Sequence, residues 1–196
     1  STGSVLKILW AARWEYDKGP DRLLAILREL ERRDLDYRVC ILGHEFRSSP
    51  AEFQTIKQEF NHRLAHFGHE PLAESYRQWL GSADLVLSTA LHEFQGLAVL
   101  EAIAAGCVPV LPQREVYPEL VPECFTYASF AADITQEAVA AVDVIEWVGR
   151  ARPSAPDVSH FSWSALSERY KAALAATAMT ATAMADTTQT SSTEPS

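Results

Sequence analysis

Short apolar runs alternate along the chain with longer stretches in which apolar residues recur every third or fourth position. Val5-Leu6-Lys7-Ile8-Leu9-Trp10-Ala11 reads as a buried strand, followed by a polar loop. Asp21 to Arg33 carries Leu23, Leu24, Ile26, Leu27 and Leu30, the stripe of an amphipathic helix. A second strand is predicted over Tyr37 to Gly43, and a helix over Pro50 to Leu64 with Phe53, Ile56 and Phe60 on related faces. Leu64 to Gly68 follows as a short third strand and Leu72 to Leu80 as a helix. Asp84 to Thr89 is a fourth strand with its helix at Gly96 to Ala105. Cys107 to Leu111 is a fifth strand, and Pro109 within it predicts a short or edge-like element. Phe125 to Tyr127 is a candidate sixth. Helices over Thr135 to Arg150 and Trp163 to Ala175 complete the pattern.

Strands that alternate with helices specify a mainly parallel sheet covered on both faces, a Rossmann-like three-layer α/β/α fold. Right-handed crossovers then bring the strand-to-helix loops to one edge, where such sheets bind ligands. The loops after the first, third and fourth strands are the unusual ones and are expected to share a cleft. No internal repeat is visible.

Composition adds boundaries to this picture. At 196 residues the chain suits one domain, expected over residues 5–175. From Ala176 to Ser196 it is nearly all Ala, Thr, Ser, Met and Gln, which cannot offset its ordering entropy, so a disordered tail is expected. Ser1 to Ser4 resembles a linker, and an N-terminal partner domain is expected to be absent from this chain. A formal charge of −9 argues against gripping a nucleic-acid backbone unaided. Cys40, Cys107 and Cys124 are odd in number and sit in or beside apolar runs, the usage of buried thiols in a reducing compartment. With no membrane-spanning run and no signal-peptide pattern, the expected setting is cytoplasmic.

Two segments carry candidate chemistry. The loop Ala11-Ala12-Arg13-Trp14-Glu15-Tyr16-Asp17-Lys18-Gly19-Pro20 sets two cations five positions apart before a helix, suited to a diphosphate. The plain alternative is a solvated loop. Within it, Trp14 is the tryptophan placed to act as a stacking platform rather than as core. The second segment, His92-Glu93-Phe94-Gln95-Gly96-Leu97, opens a helix whose N–H groups suit a phosphate and places Glu93 eight positions before Glu101. The helix dipole alone explains Glu93. Glu101, however, lies in an apolar helix (Leu97, Val99, Leu100, Ile103), where a buried carboxylate needs a partner or a ligand. His66-Phe67-Gly68-His69 forms a loop at the cleft edge where backbone groups can meet a base. His62, His66 and His69 do not share a face and make no metal site. There is no Gly-x4-Gly-Lys-Ser/Thr, no Gly-x-Gly-x-x-Gly after the first strand and no Gly-x-Ser-x-Gly elbow.

The pair Arg13-x4-Lys18-Gly19 and Glu93-x7-Glu101, with Ser82-Ala83-Asp84 and the passage Ala102 to Val110, resembles the C-terminal half of family-4 retaining glycosyltransferases of the GT-B fold. The likeness extends over about residues 5 to 175. Leu9-Trp10-x-x-Arg13-Trp14-Glu15-x-Asp17-Lys18-x-Pro20, His92-Glu93-Phe94-x-Gly96-x-Ala98-x-Leu100-Glu101-Ala102 and Val116-Tyr117-Pro118-Glu119 are similar to the tRNA-queuosine α-mannosyltransferase family within that group. The resemblance implies GDP-mannose as donor and queuosine in tRNA as acceptor, the latter met through the missing N-terminal domain. It implies catalytic roles for Arg13, Lys18 and Glu93, with Arg13 and Lys18 on the diphosphate, Glu93 on the sugar and Glu101 on the ribose. Phe67, Gly68, His92, Phe94, Gln95, Gly96 and Leu97 complete the implied donor site. No cofactor or metal is expected, since the two cations and the helix N-terminus supply positive charge. The chain alone is expected to transfer nothing. Two other readings remain: a family-4 enzyme using a UDP- or GDP-sugar on a glycan or lipid, and a non-catalytic nucleotide-binding module.

Overall fold

The computed structural model describes residues 5–44, 49–162 and 164–167. Two compact units divide the chain, one ending at Asp157 and one beginning at Val158. In the second, Ser159–Phe161 forms a 3-10 turn and residues 164–167 are helical. The expected helix from Trp163 to Ala175, the tail and the linker lie largely or wholly outside the described residues.

The first unit contains β1 (Leu6–Ala11), α1 (Pro20–Arg32), β2 (Tyr37–Leu42), α2 (Glu52–Glu59), β3 (Leu64–Gly68), α3 (Ala73–Ser82) and β4 (Leu85–Leu87). It continues with α4 (Leu97–Ala104), β5 (Val108–Pro112), the single turn α5 (Tyr117–Leu120), β6 (Thr126–Tyr127) and α6 (Ile134–Ala151). The strands form one six-stranded sheet in the order β3-β2-β1-β4-β5-β6, with every pairing parallel. The chain runs outward from β1 to β3, returns to the centre at β4 and continues to β6, so the switch point lies between β1 and β4.

Burial follows from that order. Ile8, Leu9 and Trp10 of central β1 are no more than 1% exposed, as both faces of the strand are covered. α1 turns Leu23, Ile26, Leu27 and Leu30 inward and packs beside α2 and α6, whereas α3 meets α4 and β1. Trp14 is also core: its ring stacks on Phe53 at 4.4 Å and 8°. The expected stacking platform is therefore a packing residue that closes the end of β1 over α2.

The proline reading of β5 is corrected. β5 is interior, paired with β4 and with β6. Val108 donates to the Asp84 carbonyl, and the Val110 carbonyl accepts from Ser88, so these residues face β4. Pro109 faces the other way, and pairing with β6 begins only at Leu111. The missing N–H thus falls where no partner strand waits for it. Cys40 and Cys107 are buried, with burial pushing their thiols up to about 12 and about 11, but Cys124 is exposed on the 3-10 turn before β6. Among the described residues no helix is long and apolar enough to cross a membrane.

α1 and α6 are held together by charge as well as by apolar packing. Arg33 bonds Glu29 at 2.7 Å, Asp143 at 2.7 Å and Glu146 at 3.0 Å. Hydrogen bonds from Arg32, opposed by burial and aided by Arg33, hold the Glu29 carboxyl down at about 2. An unfolded-state glutamate titrates at about 4.3, so below that pH the unfolded chain binds the extra proton and stability falls. The contribution is complete above about pH 4.3 and disappears as pH drops toward 2. Denaturation midpoints across that window should fall less steeply for Glu29→Gln than for the parent chain.

Candidate functional site

Two chain segments cross at the switch point, and backbone geometry dictates how closely. After β1 the chain makes a 3-10 turn over Tyr16–Lys18 and passes through Gly19 in the left-handed conformation (φ 65°) into Pro20, the first residue of α1. A Cβ on Gly19 would lie 2.1 Å from the Thr89 carbonyl oxygen, so only glycine lets the β1 loop press on the segment after β4. Thr89 Oγ1 donates to the Lys18 carbonyl at 2.8 Å and accepts from Trp10 Nε1 at 2.9 Å. The Asp17 carbonyl accepts from the amides of Leu91 and His92. β4 ends at Leu87, two residues before the predicted strand does, because beyond the Ser88 amide, which still bonds Val110, Thr89 to His92 bond to the β1 loop and to the Ser88 hydroxyl.

This stitching places Lys18, only 8% exposed, against the turn before α4. Its ammonium has three donors and three partners: the His92 carbonyl at 2.9 Å, Glu93 Oε2 at 3.1 Å and Asp17 Oδ2 at 3.2 Å. Glu93 Oε1 accepts from the amides of Phe94, Gln95 and Gly96 at 3.2, 3.4 and 3.1 Å. Gly96 is left-handed (φ 64°), and α4 begins after it without a side-chain cap. Burial opposes ionisation of Glu93, but the Gly96 amide, Lys18 and the Gln95 amide outweigh it and hold the carboxyl below its ordinary range. A small pocket here is lined by Lys18, Ser88, Glu93, Gly96 and Tyr117.

A second, roomier pocket shares Ala11, Ala12 and Ala98 with the first and is lined by Arg13, Gly43, His44, His69, Glu70 and Tyr76. The Arg13 side chain is 59% exposed and pairs with Glu15 at 3.0 Å. Arg13 lines this pocket and Lys18 the first one, which adjoins it through Ala11, Ala12 and Ala98. Tyr76 from α3 donates to Glu101 Oε2 at 3.0 Å, and burial followed by the Glu101 charge raises its hydroxyl above the ordinary range. The premise that Glu101 is buried is corrected: it is exposed, because α4 is a surface helix that buries only Val99, Ala102 and Ile103.

The other expected site residues are dispersed. The Phe67 ring meets Trp14 at 4.7 Å, and the Gly68 carbonyl accepts from the Gly43 amide. At this edge the wall is made by His69, the last residue of the loop expected here, and by Glu70, together with Gly43 and His44 of the loop after β2, which the sequence reading left out. There the imidazoles of His44 and His69 stack at 3.4 Å. His92 is exposed, 3.5 Å from Glu115, while Phe94 (89% exposed), Gln95 and Leu97 face outward around the turn. Sequence reasoning also missed Tyr76 and the buried pair Ser88 Oγ and Tyr117 hydroxyl at 2.6 Å. A half-polar helix residue and a tyrosine in a Pro-Glu turn carry no spacing signal that points to a site. Among the described residues no group of three His, Cys, Asp or Glu is arranged to hold a metal.

A parallel sheet that winds outward both ways from β1 and β4, with a helix N-terminus and anchored charges at its switch point, defines a Rossmann-like α/β domain. The chain belongs to the glycosyl transferases group 1, whose family description matches residues 3–148. It is 41% identical over 118 residues to the tRNA-queuosine alpha-mannosyltransferase of Drosophila melanogaster, a match covering 60% of this chain and 31% of that protein. It is 24% identical over 170 residues to the GDP-mannose:cellobiosyl-diphosphopolyprenol alpha-mannosyltransferase of Xanthomonas oryzae pv. oryzae, covering 83% of this chain and 45% of that protein. The chain thus spans less than half the length of these curated relatives. The same fold occurs in the C-terminal domain of the group 1 glycosyl transferase LpcC from Francisella tularensis (TM-score 0.59, 19% identity, 72% of this chain and 75% of that one). It occurs too in sucrose-phosphate synthase from Thermosynechococcus elongatus (TM-score 0.64, 20% identity, 90% and 47%).

The closeness at Gly19 yields a direct test. Gly19→Ala should cost more than about 2 kcal/mol in chemical denaturation, from steric overlap and left-handed strain together. Gly81→Ala, in α3 with open space around it, should be neutral or stabilising by up to about 1 kcal/mol.

Proposed function

We infer that this chain is the donor-binding part of a retaining mannosyltransferase that takes mannose from GDP-mannose and delivers it to queuosine in tRNA. The observation that carries the reading is the Glu93 turn: a carboxylate fixed by three amides and a buried lysine at the sheet switch point, beside a roomier pocket. The donor has support from two relatives, since both are named as mannosyltransferases and one name includes GDP-mannose. The acceptor rests on the 41% identity to the queuosine enzyme and on the three motifs shared with that family. The Xanthomonas relative favours a second reading for the acceptor alone, a lipid-linked glycan.

In this mechanism the larger pocket takes the nucleoside, with Glu101 and Tyr76 toward the ribose and Arg13 toward the diphosphate. Arg13 is free to turn to phosphate because an exposed pair such as Arg13–Glu15 holds it by no more than about 1 kcal/mol. A diphosphate reaches Lys18 by displacing Asp17, the longest of its three contacts. The sugar lies over the α4 N-terminus, where Glu93 accepts from its hydroxyls. The anomeric C–O bond to the diphosphate breaks as the acceptor oxygen bonds on the same face, and a phosphate oxygen takes the acceptor proton. Arg13, Lys18 and the helix N-terminus stabilise the charge that develops on the leaving diphosphate.

Calorimetry of this chain with GDP, UDP and GDP-mannose tests the reading. GDP should bind in preference to UDP, and Glu101→Ala should weaken it by about 10-fold, the worth of one hydrogen bond to a charged group. Preference for UDP would overturn the donor assignment. In an enzyme of full length, Lys18→Ala should lower turnover on queuosine-containing tRNA by about 10²-fold, and unchanged turnover would remove Lys18 from catalysis.

A further inference from the structure

Behind the Glu93 turn lies a cluster of buried charge that the proposed reaction does not use. Glu137, near the start of α6, is fully buried. Its carboxylate accepts from Arg114 Nη1 at 3.0 Å, from Arg114 Nη2 and from the Phe130 amide at 2.9 Å, with Arg22 Nε 3.1 Å away. Arg22 is on the first turn of α1, four residues after Lys18. Arg114 is on the loop between β5 and α5, with its side chain 15% exposed, and its Nε donates to the Ala90 carbonyl at 2.8 Å. Ala90 is three residues before Glu93. A buried ionic cluster of this kind adds little stability over apolar packing, because desolvation offsets the attraction between its charges. What it does impose is direction. A guanidinium is a rigid plane, so seating its two terminal nitrogens on Glu137 fixes where Nε points.

We propose that Arg114 is a positioning residue for the donor sugar: locked on Glu137, it holds the Ala90 carbonyl and so sets where the turn presents Glu93. This rests on the reading of the Glu93 turn as the sugar site. The Ala90 amide is bound as well, to Ser88 Oγ at 3.3 Å, so the residue is fixed on both sides. The next residue, Glu115, is left-handed (φ 53°), a strained state for a non-glycine residue, and its carboxylate lies 3.5 Å from the exposed His92 imidazole. The loop after β5 therefore holds the turn at Ala90. Lys18 and Asp17 hold it from the opposite side.

Arg114→Lys keeps a charge beside Glu137 but cannot seat on it and reach Ala90 in the same rigid plane. In this variant, amide hydrogen exchange at Leu91, His92 and Gly96 should rise by about 10-fold or more, with β1 and α1 unchanged. The affinity gained by GDP-mannose over GDP should fall by about 5-fold or more, while GDP alone changes less than about twofold. Arg114→Gln, which removes the fork and leaves Arg22 beside Glu137, should shift both readouts in the same direction and serves if Arg114→Lys fails to fold. Unchanged exchange in the turn, or a uniform rise across the sheet, would overturn the positioning role. If the parent chain binds neither nucleotide, the sugar-site reading fails, and the exchange measurement still decides whether Arg114 orders the turn.

Discussion

Lys18 is the contact on which the geometry of the cleft depends. A buried ammonium must have every donor occupied, and its three partners all lie where the loop after β1 meets the turn after β4. Meeting them requires the close approach at Gly19, which in turn requires the left-handed glycine and the Thr89 bridge. The same contact neutralises one oxygen of Glu93, leaving the other to the amides before α4. Removing the ammonium would leave a half-buried carboxylate with only part of its compensation. The turn is therefore built before any ligand arrives, the condition under which fixed charges serve catalysis best.

The two cations of the first loop divide their labour because their burial differs. Lys18 belongs to the protein: its partners are internal and its position is set. Arg13 belongs to the pocket, mostly in solvent, with one exposed partner to give up. Glu93 and Glu101 divide in the same way, one tied into the backbone of a helix start and the other held at the surface by a single tyrosine hydroxyl. In the proposed reading the fixed half meets the sugar and the adjustable half the nucleoside, which suits a donor that must enter, be held at its reacting atom and leave again as a diphosphate.

Legibility differed between the elements and the side chains. The bounds of β1, α1 and α6 follow from periodicity to within a residue or two because each buries a regular face, and Leu64–Gly68 is found as expected although it is a half-buried edge strand. β4 and α2 come out shorter than their apolar runs. For β4 the reason is that after the Ser88 amide, which still bonds Val110 of β5, the chain turns away, and Thr89 to His92 bond to the β1 loop and to side chains. Pro109 misled for a related reason: a proline is costly only on the side where a partner strand waits, and composition does not say which side that is. Glu101 misled through burial, since an apolar helix sequence does not reveal which of its faces is turned to solvent.

Sequence alone determined the alternating α/β architecture, the parallel sheet and the two segments that carry charge to its edge, because these depend on periodicity and on spacing within short windows. It also marked Arg13, Lys18, Glu93 and Glu101 as one candidate site, and of these the structure bonds Lys18 to Glu93 directly. Only the tertiary structure decided that Lys18 is buried and Arg13 exposed, that Trp14 is core, that Tyr76 holds Glu101 and that Arg114 and Glu137 stand behind the turn. Those contacts join residues separated by tens of positions in sequence, such as Arg114 and Ala90 or Lys18 and Glu93. Local pattern governs the elements, but the packing of one element against another decides which polar groups lose their water and therefore which must find each other.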